Sequence, residues 1–239
     1  MNKKTFEHSL VVIPTYNEAE NIGRLVSDIF QNLDNIEVLV VDDNSPDGTW
    51  SIVEKLGKAD TRVHLLKRKK KEGLGAAYKA GFLWAFERGY DIIYQMDADF
   101  SHEPACLGDF KRLIDSGYDV VIGSRYIKGG DIVGWGASRL LLSGMGNLYA
   151  RLVTNTPIKD LTGGFNCWHS NVLKQININS VMAEGYSFLL ELKVRAYHAG
   201  FKIAEFPITF KDRTCGKSKM SGGIIKEAFF RCLALRFIV

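Results

Sequence analysis

The chain lacks any run of about 18 to 20 apolar residues, so no segment is expected to span a bilayer. Met1 to His8 is polar and has no apolar stretch of the kind a secretory leader carries, which reads against a signal peptide. Cysteine is scarce: Cys106, Cys167, Cys215 and Cys232 stand far apart with no C-x-x-C pair. Reduced, mostly buried thiols in a cytoplasmic protein are therefore expected. Repeats, low-complexity tracts and Pro- or Gly-rich linkers are also missing, which points to a single domain. Gly73-Leu74-Gly75 has no third glycine and does not directly follow a plausible first strand, so a dinucleotide fold is disfavoured. Excess charge is slight, with 31 Lys and Arg against 27 Asp and Glu for a net +4. That balance suits an anionic ligand or an anionic membrane surface and does not call for nucleic acid.

What is present is an ordinary globular composition, 46% hydrophobic and 24% charged over 239 residues. Leu10 to Pro14 and Val38 to Val41 are short, continuous β-branched runs stopped by polar clusters, as buried strands are. Similar runs lie near Val63–Leu66, Ile92–Met96 and Val120–Gly123. Helical spacing fills the intervals: Asn17 to Leu33 with Asn17 as cap, Thr49 to about Lys58, Ala76 to Arg88, and Cys106 to Ser116. Strands alternating with helices predict a mostly parallel α/β sheet covered on both faces, with ligands beyond the carboxyl ends of the strands. Three polar clusters fall at such ends: Pro14 to Glu18, Asp42 to Asp47, and Asp97 to Ser101.

Asp97-Ala98-Asp99 follows a strand directly, and extended residues two apart point the same way. Two carboxylates so close are costly unless a cation compensates them, and a hard divalent ion with oxygen ligands would do so. A bare D-x-D is also a common solvated turn; its place beside two other acidic strand ends is what lifts it. Glu18 and Asp43 can each be read as a first-turn helix acid and an Asx-turn, or as acceptors for ribose and base donors.

Arg125 ends the Val120–Gly123 segment and so falls on the same rim. Arg139 opens the apolar stretch Leu140 to Val153, with Ser143 one turn on along the same helix face. Guanidinium forks match phosphate oxygens, although Arg139 alone would pass as the charged start of an amphipathic helix. Arg213, Lys217 and Lys219 sit among small residues in a basic loop suited to closing over phosphates, or simply to solvation. The run Lys67 to Lys71 reads as a solvated face, with attraction to anionic lipid as the other possibility. The final stretch, from Ala228 to Val239, is apolar but for Arg231 and Arg236. It is too short to cross a membrane and equally suits an interfacial segment or a helix closing the core.

In order along the chain, Val12 to Glu18, Val41 to Thr49, Gly73 to Ala77, Met96 to His102, Gly123 to Tyr126, Gly185 to Phe188, and Asp212-Arg213 with Gly216, Ser218 and Lys219 resemble one known family. It is the inverting glycosyltransferases of family 2, with the Rossmann-like GT-A fold, and the likeness is strongest to its dolichyl- and polyprenyl-phosphate mannose synthases. The resemblance covers a catalytic domain over residues 1–223, and residues 224–239 are left as an amphipathic C-terminal segment that either associates with a membrane or closes the core. It implies inverting, Mg²⁺- or Mn²⁺-dependent transfer of mannose from GDP-mannose to dolichyl or polyprenyl phosphate. A UDP-glucose or UDP-N-acetylglucosamine donor is the alternative within the family.

By the same resemblance, Pro14, Tyr16, Glu18, Val41 and Asp43 form the nucleotide pocket. Asp97, Ala98 and Asp99 hold the diphosphate and metal, with Asp99 principal and Ser101 on the metal side. Arg213 and Lys219 close over the diphosphate. Arg125, Arg139 and Ser143 bind the acceptor phosphate, and Asp99, Arg125 and Arg139 carry catalysis. After Asp160 to Phe165 many members place a basic residue where Asn166 stands. Members without transmembrane helices sit peripherally on the cytoplasmic face of a membrane, some with small membrane partner subunits, and none of this requires nucleic acid.

Overall fold

The computed structural model describes residues 8–181, 185–212 and 229–236. Strands β1 (Ser9–Thr15), β2 (Ile36–Asp42), β3 (Val63–Lys67), β4 (Ile92–Gln95) and β5 (Val120–Ser124) fall where the apolar runs predict them. Helices α1 (Ile22–Asn32), α2 (Thr49–Ala59), α3 (Leu74–Glu87) and α4 (Leu107–Asp115) occupy the intervals. The less regular second half adds β6 (Asp131–Val133), α5 (Ala137–Thr154), β7 (Asn166–His169), α6 (Ser170–Gln175), α7 (Gly185–His198), β8 (Ile203–Pro207) and β9 (Thr209–Lys211). Residues 229–236 form a last helix, α8.

Seven strands make one sheet in the order β3-β2-β1-β4-β7-β5-β8. All pairings are parallel except the two made by β7. A small second sheet joins β6 to β9. Alternation sorts the strands between two cores. Leu10, Val12, Leu39 and Val41 enter one cluster, while Val11, Ile13, Val38 and Val40 enter the other, all with no exposed surface. Both faces are thus covered, which is why these strands read as unbroken apolar runs. Helix α3 lies unusually close: a Cβ on Gly81 would stand 2.4 Å from Val12 Cγ1 and 3.2 Å from Val41 Cγ2.

Strand order reverses at β1, between β2 and β4, and the carboxyl ends of these strands open there. Antiparallel β7 has a further effect. Asn166, its first residue, pairs with Gln95 and Ile122 near the carboxyl ends of β4 and β5. The chain entering β7, Asp160 to Phe165, therefore reaches the same rim.

None of the described cysteines forms a disulfide; Cys167 and Cys232 are buried and Cys106 is partly so. Cys215 lies outside the described residues. No helix of the described residues is long and apolar enough to cross a membrane. In α8, Cys232 and Leu235 enter the core while Phe229, Phe230 and Leu233 stay exposed. Arg231 pairs with the fully buried Glu191 of α7. Closing the core and presenting an apolar face are thus two sides of one helix.

Candidate active site

Beyond the ends of β1, β2 and β4 lies a cavity of about 200 Å³, lined by Pro14, Tyr16, Glu18, Asp43, Lys71, Asp97, Ala98 and Asp99 among others. One wall is a clamped loop. Asn17 adopts a left-handed backbone (φ 63°), and its N–H donates to Ser45 Oγ at 3.1 Å. The amides of Glu18 and Ala19 donate to Thr49 Oγ1 and Asp47 Oδ2, each at 3.0 Å. These amides are taken by the 45–49 turn, so α1 starts at Ile22 rather than capping at Asn17. Asp47 is held below its ordinary carboxyl range: its burial opposes this, but hydrogen bonds from Thr49 and Ala19 outweigh it.

The adjacent acids of β2 divide their work. Asp42 is fully buried and accepts from Thr15 Oγ1 at 2.7 Å and Ser45 Oγ at 2.6 Å, binding two strand ends and the turn together. Asp43 faces the cavity, 2.8 Å from Arg68 Nη1. Burial raises its carboxyl above the usual range, and Arg68 only partly offsets that. Val41, by contrast, puts its side chain in the core, leaving only backbone to offer a ligand. The basic run predicted as a solvated face is partly built in. Arg68 packs half-buried against Asp43, and Lys71 lines the cavity with its ammonium 3.7 Å from the Tyr16 ring centroid.

Asp97 and Asp99 both line the cavity. Asp97 Oδ1 accepts from Tyr78 Oη at 3.1 Å, and Asp99 Oδ1 from the Ser101 amide at 3.2 Å. His102 is a neighbour the sequence reading did not assign. Its Nδ1 accepts the Asp97 N–H at 3.2 Å, and its ring stacks on Phe165 with centroids 4.9 Å apart. Burial holds its pKa below the ordinary value although both aspartates pull the other way. The Ser101 hydroxyl is buried with no hydrogen-bond partner. Among the described residues no group of three or more His, Cys, Asp or Glu could hold a metal alone. Two carboxylates and an orphaned hydroxyl fit a hard divalent ion that takes its other oxygens from a diphosphate and water.

Arg125 is found under the rim rather than on it. It is 8% exposed, and its Nε and Nη2 donate to the two oxygens of fully buried Asp160, each at 2.7 Å. Its backbone N–H donates to Asp160 Oδ2 at 3.0 Å and Nη2 also reaches Thr162 Oγ1 at 2.9 Å. Burial opposes the charge on Asp160, yet Arg125 and Lys193 hold its pKa at about 2. Arg139 is only half-buried, pairs with Asp212 at 2.9 Å, and lies 3.9 Å from the centre of the Trp135 ring. Arg125 approaches the same indole at 5.7 Å, so the two guanidiniums flank one ring. Ser143 Oγ is 2.7 Å from Tyr126 Oη.

Helix α5, which carries Arg139 and Ser143, is inside-out. Its inward stripe is Arg139, Ser143, Asn147, Ala150 and Thr154. Outward stand Leu141 (66% exposed), Met145 (60%) and Leu152 (69%), with Leu140, Leu142 and Leu148 also exposed. Tyr149 stacks on Phe229 with centroids 4.7 Å apart, which joins this face to α8.

Asn166 has its side chain fully buried, donating to Gln95 Oε1 at 3.1 Å and to the Gly163 carbonyl at 3.3 Å. It is a brace for the turn. Arg213, Lys217 and Lys219 lie outside the described residues. Arg68, Lys71, Tyr78, His102 and Asp160 were missed as site residues; His102 and Asp160 had a signal, their places in the segments from Met96 to His102 and from Asp160 to Phe165.

Comparison with known proteins gives the family and the fold. The glycosyl transferase family 2 model matches residues 10–176. The polyprenol monophosphomannose synthase of Mycolicibacterium smegmatis is 44% identical over 226 residues, 94% of this chain and 85% of the relative. The undecaprenyl-phosphate mannosyltransferase of Micrococcus luteus is 42% identical over 219 residues, 92% of this chain and 90% of the relative. Among solved structures, a mannosyltransferase from Pyrobaculum calidifontis in complex with GDP-Man and Mn²⁺ superimposes with a TM-score of 0.60 at 17% identity, covering 99% of this chain and 75% of that one. At that identity the likeness is one of fold.

Proposed function

The chain belongs to glycosyltransferase family 2, and from that premise we propose that it transfers mannose from GDP-mannose to a polyprenyl or dolichyl phosphate. The observation that carries the reading is one continuous set of contacts from the Asp97–Asp99 cavity to the Arg139–Ser143 face. Gly164 lies against Asp97, Asp160 and Thr162 hold Arg125, and Asn147 joins Thr162 to α5.

Tyr16, Glu18 and Asp43, with the backbone of Pro14 and Val41, take the nucleoside. Asp97 and Asp99, with Ser101 adjoining, would hold Mg²⁺ or Mn²⁺, which supplies neutralisation of charge on the departing diphosphate. Arg213 and Lys219 are assigned to the same diphosphate on the family likeness alone. On the other side Arg139 and Ser143 hold the acceptor phosphate, with Arg125 fixing the rim beneath them. A phosphate monoester has its second pKa near about 6 and is largely dianionic at neutral pH, so no strong general base is needed. Alignment of that oxygen with the anomeric carbon, opposite the leaving diphosphate, then carries the reaction and inverts the sugar.

The test uses labelled GDP-mannose, UDP-glucose or UDP-N-acetylglucosamine with a short polyprenyl phosphate, with and without Mn²⁺. Acid-labile, lipid-extractable label from GDP-mannose alone is expected, and label from a UDP-sugar instead would replace the donor assigned here. Arg139→Ala should raise the lipid-phosphate KM about 10- to 100-fold, the worth of a charged hydrogen bond. Its donor dissociation constant should stay near that of the parent; a collapse of donor affinity would put Arg139 on the wrong substrate.

The outward leucines of α5 and the exposed side of α8 suit a peripheral membrane seat beside the acceptor. A contiguous apolar face of this kind marks an interaction surface, and this one flanks the site for a lipid. Residues 224–239 are assigned to the same seat. In a flotation assay the parent should rise with anionic vesicles, while Leu141→Glu combined with Leu152→Glu should leave most protein at the bottom. Equal flotation of both proteins would remove α5 from the membrane.

A further inference from the structure

The turn from Asp160 to Gly164 is gripped from several sides. Asp160 Oδ1 accepts the Gly163 N–H at 2.9 Å, and Glu205 of β8 accepts the Asp160 N–H at 3.0 Å. Asn147 Oδ1 accepts the Leu161 N–H at 2.9 Å. The result is close approach: a Cβ on Gly164 would stand 3.3 Å from Asp97 Oδ2 and 3.4 Å from His102 Cε1. The turn therefore abuts one of the two cavity carboxylates while its other end carries the buried Arg125 pair.

One cation reaches this turn from a helix that the active-site reading does not otherwise use. Lys193 of α7 has no exposed surface, and its Nζ donates to the Gly163 carbonyl at 2.7 Å and the Asp160 carbonyl at 3.0 Å. Burying a lysine is expensive, and such groups stay buried only where hydrogen bonds hold them. Burial pushes its ammonium down to about 8, with the Asp160 carboxylate opposing that shift. A residue serving only to fill the core between α7 and the sheet would be served better by leucine or methionine.

We propose that Lys193 is a positioning residue for the transfer step, its ammonium fixing the Asp160–Gly164 turn against Asp97 so that the carboxylate pair and the phosphate-binding face keep their alignment. The inference rests on the transferase reading above. Reactions that depend on alignment lose about 100-fold for a displacement near 1 Å.

Lys193→Met keeps the length of the side chain and removes the donors. In protein shown by circular dichroism to be folded at the assay temperature, kcat should fall about 10- to 100-fold. The dissociation constant for GDP-mannose with Mn²⁺ should rise far less than kcat falls, because Tyr16, Glu18 and Asp43, which take the nucleoside, follow β1 and β2 and do not touch the turn. Lys193→Gln, with an amide donor, should recover part of the loss. Amide hydrogen exchange across residues 161–164 should quicken in both variants, a readout that stands whether or not the donor and acceptor are the ones assigned. A parent that turns over none of the three donors sinks the transferase reading, and exchange alone then decides whether Lys193 fixes the turn.

Folded Lys193→Met with parental kcat and unchanged exchange overturns the proposal, as does equal loss of kcat and donor affinity. Should Lys193→Met not fold, Gly164→Ala displaces the turn from its other side and must show the same split. Parental kcat in that variant also overturns the inference.

Discussion

Asp99→Ala is expected to lower turnover about 1000-fold, with fold and thermal stability nearly unchanged. Asp99 is half-buried on the cavity wall, where its Oδ1 accepts the Ser101 amide. A side chain on a cavity wall fills little of the core, so its removal costs little packing. On the proposed reading it leaves a divalent ion with one protein carboxylate instead of two, at the point where diphosphate charge would develop. Electrostatic stabilisation of such charge is worth several kcal/mol, and about 4 kcal/mol corresponds to roughly three decades of rate. The measurement is kcat with GDP-mannose and polyprenyl phosphate over a titration of Mn²⁺. Turnover within tenfold of the parent at any metal concentration would show that Asp99 is not a metal-side residue.

Asp160→Asn acts on the fold instead. It keeps the shape of the side chain and removes the charge opposite Arg125, whose side chain is 6% exposed. A buried guanidinium without its counter-charge costs about 3–5 kcal/mol, and in a chain of this size each kcal/mol moves the melting temperature by roughly 2–4 °C. A drop of about 10 °C is therefore expected by calorimetry at neutral pH. The pH dependence has a definite sign. A carboxyl held at about 2 adds stability that is complete above its unfolded value and disappears as pH falls through about 2. The parent's advantage over Asp160→Asn should hold from neutral pH to about 5 and shrink below that. A melting temperature within about 2 °C of the parent would mean that water reaches Arg125.

The five strands of the first half were legible because strands of a parallel sheet, buried on both faces, must be continuous apolar runs. The acidic clusters were legible because they follow those runs directly. What escaped was set by partners far along the chain. Lys193 sits in α7 among charged and apolar residues like any surface lysine, and only the fold reveals that two carbonyls some 30 positions earlier need it. Arg68 lies in a run of five cations, four lysines and one arginine, and nothing local says that this one finds Asp43. The inward face of helix α5 was hidden for a related reason, since periodicity does not say which face of an amphipathic helix turns inward. Antiparallel β7 is too short, four residues, for its direction to be read from pattern.

That one reversed strand has a bearing on how such an enzyme changes its substrate. Ile122 and Asn166 stand opposite each other in the β5–β7 ladder, so the forty-odd residues between them leave the sheet and rejoin it beside the point of departure. The detour includes α5, the Trp135 indole and the turn beside Asp97. Extending or trimming such a detour alters closure entropy by only about 0.6 kcal/mol per doubling of its length. The nucleoside half would scarcely register the edit. New recipients for the sugar can thus be tried by exchanging one insert on an otherwise constant scaffold.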